Sequence, residues 1–179
     1  MTTLALILLG LAAVAPVVLA SGRIRLWISP TIATLALGGA ALAATATRPV
    51  TGFALGATLV LAVLAATTGG APLVRAAFRI AKRQEDAGPT PDTAMLSPRI
   101  AGEGPLRGGR IIGVLERSAV AVAILAGWPE GLAIVLAVKG LARYPELREP
   151  HASEQFIIGT FTSVLWAVAV CGVAKALIT

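Results

Sequence analysis

The chain has 179 residues, of which 56% are hydrophobic and only 13% charged, and its mean hydropathy is +0.84. A water-soluble domain carries about 25% charged residues and, at this size, cannot hide so much apolar surface, so a soluble globular fold is excluded and lipid is the expected solvent. The net charge of +6, from 15 Lys+Arg against 9 Asp+Glu, reads as loop charge drawn to anionic headgroups. A nucleic-acid role is not expected, because the aromatics, at 4%, are too few for a base-stacking surface.

Thr2–Ala20 is apolar over about the 20 residues needed to span a bilayer, with Pro16 near its end. No Lys or Arg precedes it, so it is read as a first span and not as a signal peptide. Arg23, Arg25 and Trp27 follow as an interfacial anchor, and Pro30 opens a second apolar run over 31–47. The turn Arg48-Pro49 leads to a third run over 51–68, in which Gly52 and Gly56 have the spacing of close helix–helix contacts in membranes.

Gly69-Gly70 is expected to end that span, closing an N-terminal three-span unit over residues 1–70. Residues 71–84, APLVRAAFRIAKRQ, place Arg75, Arg79, Lys82 and Arg83 on one helical face and Val74, Phe78 and Ala81 on another. This pattern predicts a basic amphipathic helix lying on the membrane surface against anionic headgroups, with a simple extension of the third span as its rival. Residues 85–109, with four prolines and five glycines, form a flexible linker without a core-forming pattern. Three further apolar segments, over 110–127, 131–144 and 153–178, make a C-terminal three-helix unit in residues 110–179. The middle one is short for a span and is bordered by Trp128 and Tyr144.

The predicted fold is therefore an all-α polytopic transmembrane helix bundle of about six spans in two sets of three. Eleven Lys/Arg fall in the loops after odd-numbered spans and two, Arg48 and Lys175, on the opposite side. This bias predicts a cytoplasmic linker and both termini outside, in a bacterial cytoplasmic (inner) membrane.

The C-terminal unit carries charge where lipid is expected. A charge at mid-membrane costs about 2.5–3.5 kcal/mol, so it needs a partner. Glu116 lies six residues after Arg110, and Lys139 lies seven before Glu146. A rise of 1.5 Å per residue sets both about 9–10 Å from the same membrane face. Antiparallel helices joined by the turn Trp128-Pro129-Glu130-Gly131 would hold them level, which predicts an ion pair. Arg143 follows Lys139 by one turn, Glu154 is placed to meet Arg143 or Arg117, and Thr160, Thr162 and Ser163 continue a polar track. The expected intramembrane polar cluster is thus Glu116, Arg117, Lys139, Arg143, Glu154 and Thr160.

Ile112-Gly113-Val114-Leu115-Glu116-Arg117, Lys139, Arg143-Tyr144-Pro145-Glu146-Leu147 and Glu154-Gln155-Phe156-Ile157-Ile158-Gly159-Thr160 resemble the C-terminal region of an uncharacterised bacterial multi-pass membrane family. That resemblance covers residues 110–179, implies no catalytic residue, and implies that Glu116, Arg117, Lys139, Arg143 and Glu154 share one site.

The single His151 and single Cys171 give no metal-ligand spacing, and no nucleophile has a base nearby, so neither an enzyme nor a cofactor is expected. Two readings of function follow. The first is a structural or accessory membrane component, working as a homo-oligomer or with a partner membrane protein. The alternative is a small transporter or channel for a proton, ion or small anionic solute, using Glu116 and Lys139. A cavity reaching the cluster separates them, because a scaffold keeps such a cluster dry and fully paired.

Overall fold

The computed structural model describes residues 1–20, 27–86 and 109–179. These residues form α1 (Thr2–Ala20), α2 (Ile28–Thr45), α3 (Phe53–Asp86), α4 (Gly109–Leu125), α5 (Pro129–Ala142), one 3₁₀ turn (Glu146–Arg148) and α6 (Pro150–Ile178), with no strand among them. The protein is an all-α bundle. Four helices, α1, α2, α3 and α6, are long and apolar enough to cross a membrane. The six apolar segments of the sequence become six helices, but α4 has 17 residues and α5 only 14. At 1.5 Å per residue α5 is about 21 Å long, short of a hydrocarbon core of about 30 Å.

The chain alternates direction, so both termini lie at one end of the bundle. Ala5, Ala43, Ala44, Val50 and Leu177 form a small cluster there. The Val50 amide donates to the Leu177 carbonyl at 2.9 Å, tying the α2–α3 turn to the end of α6. The opposite end, the linker end, gathers the C-terminus of α3, the start of α4, the end of α5 and the start of α6. Residues 87–108 of the expected linker lie outside the described residues, as do Arg23 and Arg25 of the anchor.

The α4–α5 connection follows from its glycine. Gly127 adopts φ +70°, which costs a residue without Cβ nothing. Its amide donates to Ile124 and that of Trp128 to Ala123, so the last carbonyls of α4 are capped in a Schellman turn. Pro129 then opens α5 in the first-turn position where its missing N–H is no loss. A Cβ on Gly131 would stand 2.4 Å from the Trp128 ring, so the indole folds over that glycine and fixes the turn.

The core is built from small side chains. Ala12, Ala33, Ala36, Ala62, Ala65, Ala66, Ala121, Ala167 and Ala174 are buried around Leu9, Val120, Trp166, Val170 and Cys171. In lipid, where water exclusion does not drive helices together, this close approach supplies the packing energy.

Two expectations for α3 are corrected. Gly69-Gly70 does not end the helix, which continues through Pro72 to Asp86. The glycines serve proximity instead: a Cβ on Gly69 would lie 2.5 Å from the Trp166 ring, and one on Gly70 would lie 2.5 Å from Arg117 Cδ. Residues 71–84 are accordingly no separate surface helix but the extension of α3. Val74 and Phe78 pack towards Gly159 of α6, while Arg75 and Arg79 are exposed; the side chains of Lys82 and Arg83 lie outside the described residues. The Gly52/Gly56 spacing is also unused inside the bundle, since a Cβ on either would meet nothing within 4 Å.

Gly69→Ala should destabilise the protein by about 1–3 kcal/mol, because the Trp166 indole N–H is held by the Ala65 carbonyl at 2.9 Å and cannot yield. Gly38→Ala, which points a methyl into open space, should be neutral or stabilising. Thermal melts of both variants in the same detergent check this, and equal losses would refute the packing role of Gly69.

Candidate functional site

Arg117 is the most buried charged residue described, 6% exposed. It leaves α4 towards α3 and α6, over the gap that Gly70 keeps open. Its Nε donates to the Thr67 carbonyl at 2.9 Å and its Nη1 to the Ser163 hydroxyl at 3.5 Å. The Thr67 carbonyl lies one residue before Thr68, the carbonyl that Pro72 leaves without a ladder N–H, and it accepts from the guanidinium through its second lone pair. Among the described residues its hydrogen-bond partners are thus a carbonyl and a hydroxyl, and its positive charge is held without a carboxylate in contact.

Glu116, one residue earlier, points the other way. Lys139 Nζ reaches its two carboxylate oxygens at 2.6 and 2.7 Å, the ion pair expected from their equal depth. The carboxylate side chain is 9% exposed and the ammonium side chain 24%. The ammonium also stands 5.5 Å from the centre of the Phe156 ring, which ties α5 to α6 through side chains.

A cavity of about 550 Å³ opens between α3, α4, α5 and α6 on the linker side of these contacts. Glu116, Arg117, Lys139, Arg143, Thr160 and Ser163 line it, together with Arg75 from the α3 extension. Its apolar walls are Val74, Phe78, Ile112, Leu147 and Phe156. Thr160 is 8% exposed and its Oγ1 is buried without a hydrogen-bond partner.

Of the six cluster residues expected from sequence, five line this cavity. Glu154 does not: it is exposed, and Arg117 turns to Thr67 and Ser163 instead of to it. The reason is geometric, since the gap above Gly70 receives the guanidinium on the α3 side. Of the basic face, Arg75 joins the cavity and Arg79 does not. Sequence reasoning missed Arg75, Phe78 and Phe156 as cavity residues. The signal for Arg75 was its place four residues before Arg79 on a helix that had only to be continued past Gly70.

No family model, no curated protein and no solved structure matches this chain. The site is therefore read from its own geometry.

Removing one partner of a mostly buried pair strands the other charge. Glu116→Ala should accordingly destabilise the protein more than Glu116→Ala combined with Lys139→Ala, with a coupling of about 0.5–3 kcal/mol. Melting temperatures of the two single variants and the double variant test this; strictly additive losses would show that the 2.6 Å contact carries no energy.

Proposed function

We propose that this chain is an integral membrane protein that holds an anionic ligand, a small solute or a headgroup, in the cavity between α3, α4, α5 and α6. The observation that carries this reading is the charge around the cavity: among the described lining residues Arg75, Arg117 and Lys139 face it, beside Arg143 at its rim, and the described carboxylate is Glu116. That carboxylate is already neutralised by Lys139 at 2.6 Å. The remaining positive charge lies beside apolar walls, where a fixed cation attracts an anion more strongly than it does in water.

The cavity favours this reading over a purely structural role, which would leave the cluster dry and closed. A proton or cation path through Glu116 is less supported, because its ion pair leaves no free carboxylate for the cargo. A continuous channel is less supported as well. Below Ser163 lies the packed core of Val120, Ala121, Trp166 and Val170, and the far end is tied by Val50 and Leu177. The resemblance of residues 110–179 to one membrane family groups Glu116, Arg117, Lys139, Arg143 and Glu154 in one site, and four of these five line the cavity. The reading includes placement in a bacterial cytoplasmic membrane with the linker inside, from the bias of Lys and Arg. Gly52 and Gly56, open to the outside, leave a surface for a second copy or a partner membrane protein.

The protein in nanodiscs of zwitterionic lipid should be stabilised by glycerol 3-phosphate beyond chloride at equal ionic strength, by about 2.7 kcal/mol at roughly 100 times Kd. Arg75→Gln, at an exposed position, should weaken that response and leave the unliganded melt within about 0.5 kcal/mol of the parent. An identical response in parent and variant would sink the proposal.

A further inference from the structure

The anion-binding reading leaves open what kind of molecule carries the anion, and the walls of the cavity address this. A volume of about 550 Å³ falls in the 300–1,000 Å³ range of sites for sizeable organic ligands and exceeds what one inorganic anion fills. The lining is divided in character. Arg117, Thr160 and Ser163 mark its inner end, Arg75 and Arg143 lie nearer the linker end, and Val74, Phe78, Ile112, Leu147 and Phe156 add apolar surface to the same lining.

The cavity also has a seam. Among the described residues no Cα of α5 comes within 8 Å of one of α6, although both helices line the cavity. Only side chains bridge them, with Lys139 over the Phe156 ring. Both helices also carry exposed apolar side chains, Val138 and Leu141 of α5 and Ile157 of α6. Such a surface belongs against acyl chains. The Thr160 hydroxyl completes the pattern: it is buried, its residue lines the cavity, and it has no hydrogen-bond partner among the described residues. A buried polar group of this kind is a hydrogen-bond donor awaiting an acceptor.

We infer that the cavity is a lateral-entry site for an anionic phospholipid, its phosphate held by Arg117, Arg143, Arg75 and the Thr160 hydroxyl and its acyl chain leaving into the bilayer between α5 and α6. This inference rests on the anion-binding reading and narrows it to an amphiphile. Charge selects the headgroup, the seam admits the chain, and the ion pair of Glu116 and Lys139 keeps α5 in place as the outer wall.

The test is native mass spectrometry of the full chain released from nanodiscs of equal parts phosphatidylglycerol and phosphatidylcholine. One phosphatidylglycerol should be retained roughly tenfold over phosphatidylcholine. Thr160→Val and Arg143→Gln should each lower that retention roughly tenfold, the effect of losing one hydrogen bond to a charged group. Glu154→Gln, outside the cavity lining, should leave it unchanged. Arg143→Gln alters an exposed side chain and keeps the test valid should Thr160→Val fold poorly. Equal retention of the two lipids, or retention indifferent to both variants, would overturn the inference by showing ordinary annular lipid. The glycerol 3-phosphate response then tells the two failures apart. If it persists, the cavity reads a soluble anion; if it is lost too, the anion-binding reading falls with the inference.

Discussion

The structure depends on one buried guanidinium. Arg117 occupies the space that Gly70 leaves open and joins three helices through the Thr67 carbonyl and the Ser163 hydroxyl. A cation in a low-dielectric interior is tolerated when its donors are satisfied, and a helix carbonyl with a second lone pair serves as acceptor. Among the described residues the hydrogen bonds of Arg117 go to a carbonyl and a hydroxyl, and the neighbouring Glu116 is bonded to Lys139, so the guanidinium charge reaches the space beside it. The same group that fixes α3, α4 and α6 therefore also makes the cavity positive.

The neighbouring residue performs a different task. Glu116 faces away from the core, and with Lys139 it secures α5, a 14-residue helix whose backbone comes close to α4 alone among the described helices and meets α6 through side chains. Adjacent positions on α4 thus divide the labour. One holds the inner wall of the cavity and the other its outer wall, and the cavity exists because consecutive side chains on a helix point about 100° apart.

Much of this was legible in the residues, and the exceptions are instructive. The Glu116–Lys139 pair could be read from depth alone, because a tight turn makes two helices antiparallel and their register follows from counting. The helical segments were legible from runs of apolar residues bounded by Gly, Pro and charge. The end of α3 was not. Gly-Gly is a common terminator locally, yet here tertiary packing against Trp166 and Arg117 overrides that preference and the helix continues. The direction of Arg117 was hidden for the same reason: choosing Ser163 over Glu154 requires knowing that α3 passes alongside. The cavity was invisible, since it is defined by what α5 and α6 fail to touch.

The contacts of α6 have a consequence for assembly. By sequence this helix belongs to the second half of the chain, but it packs along α3, contacts α2, and bonds through Leu177 to the Val50 turn. Without that last helix, Ala65, Ala66 and the Gly69-Gly70 notch of α3 lose the side chains that cover them. The packing of the first three helices is thus incomplete without α6, and Trp166 and Leu177, more than a hundred residues further along the chain than their partners Ala65 and Val50, close it.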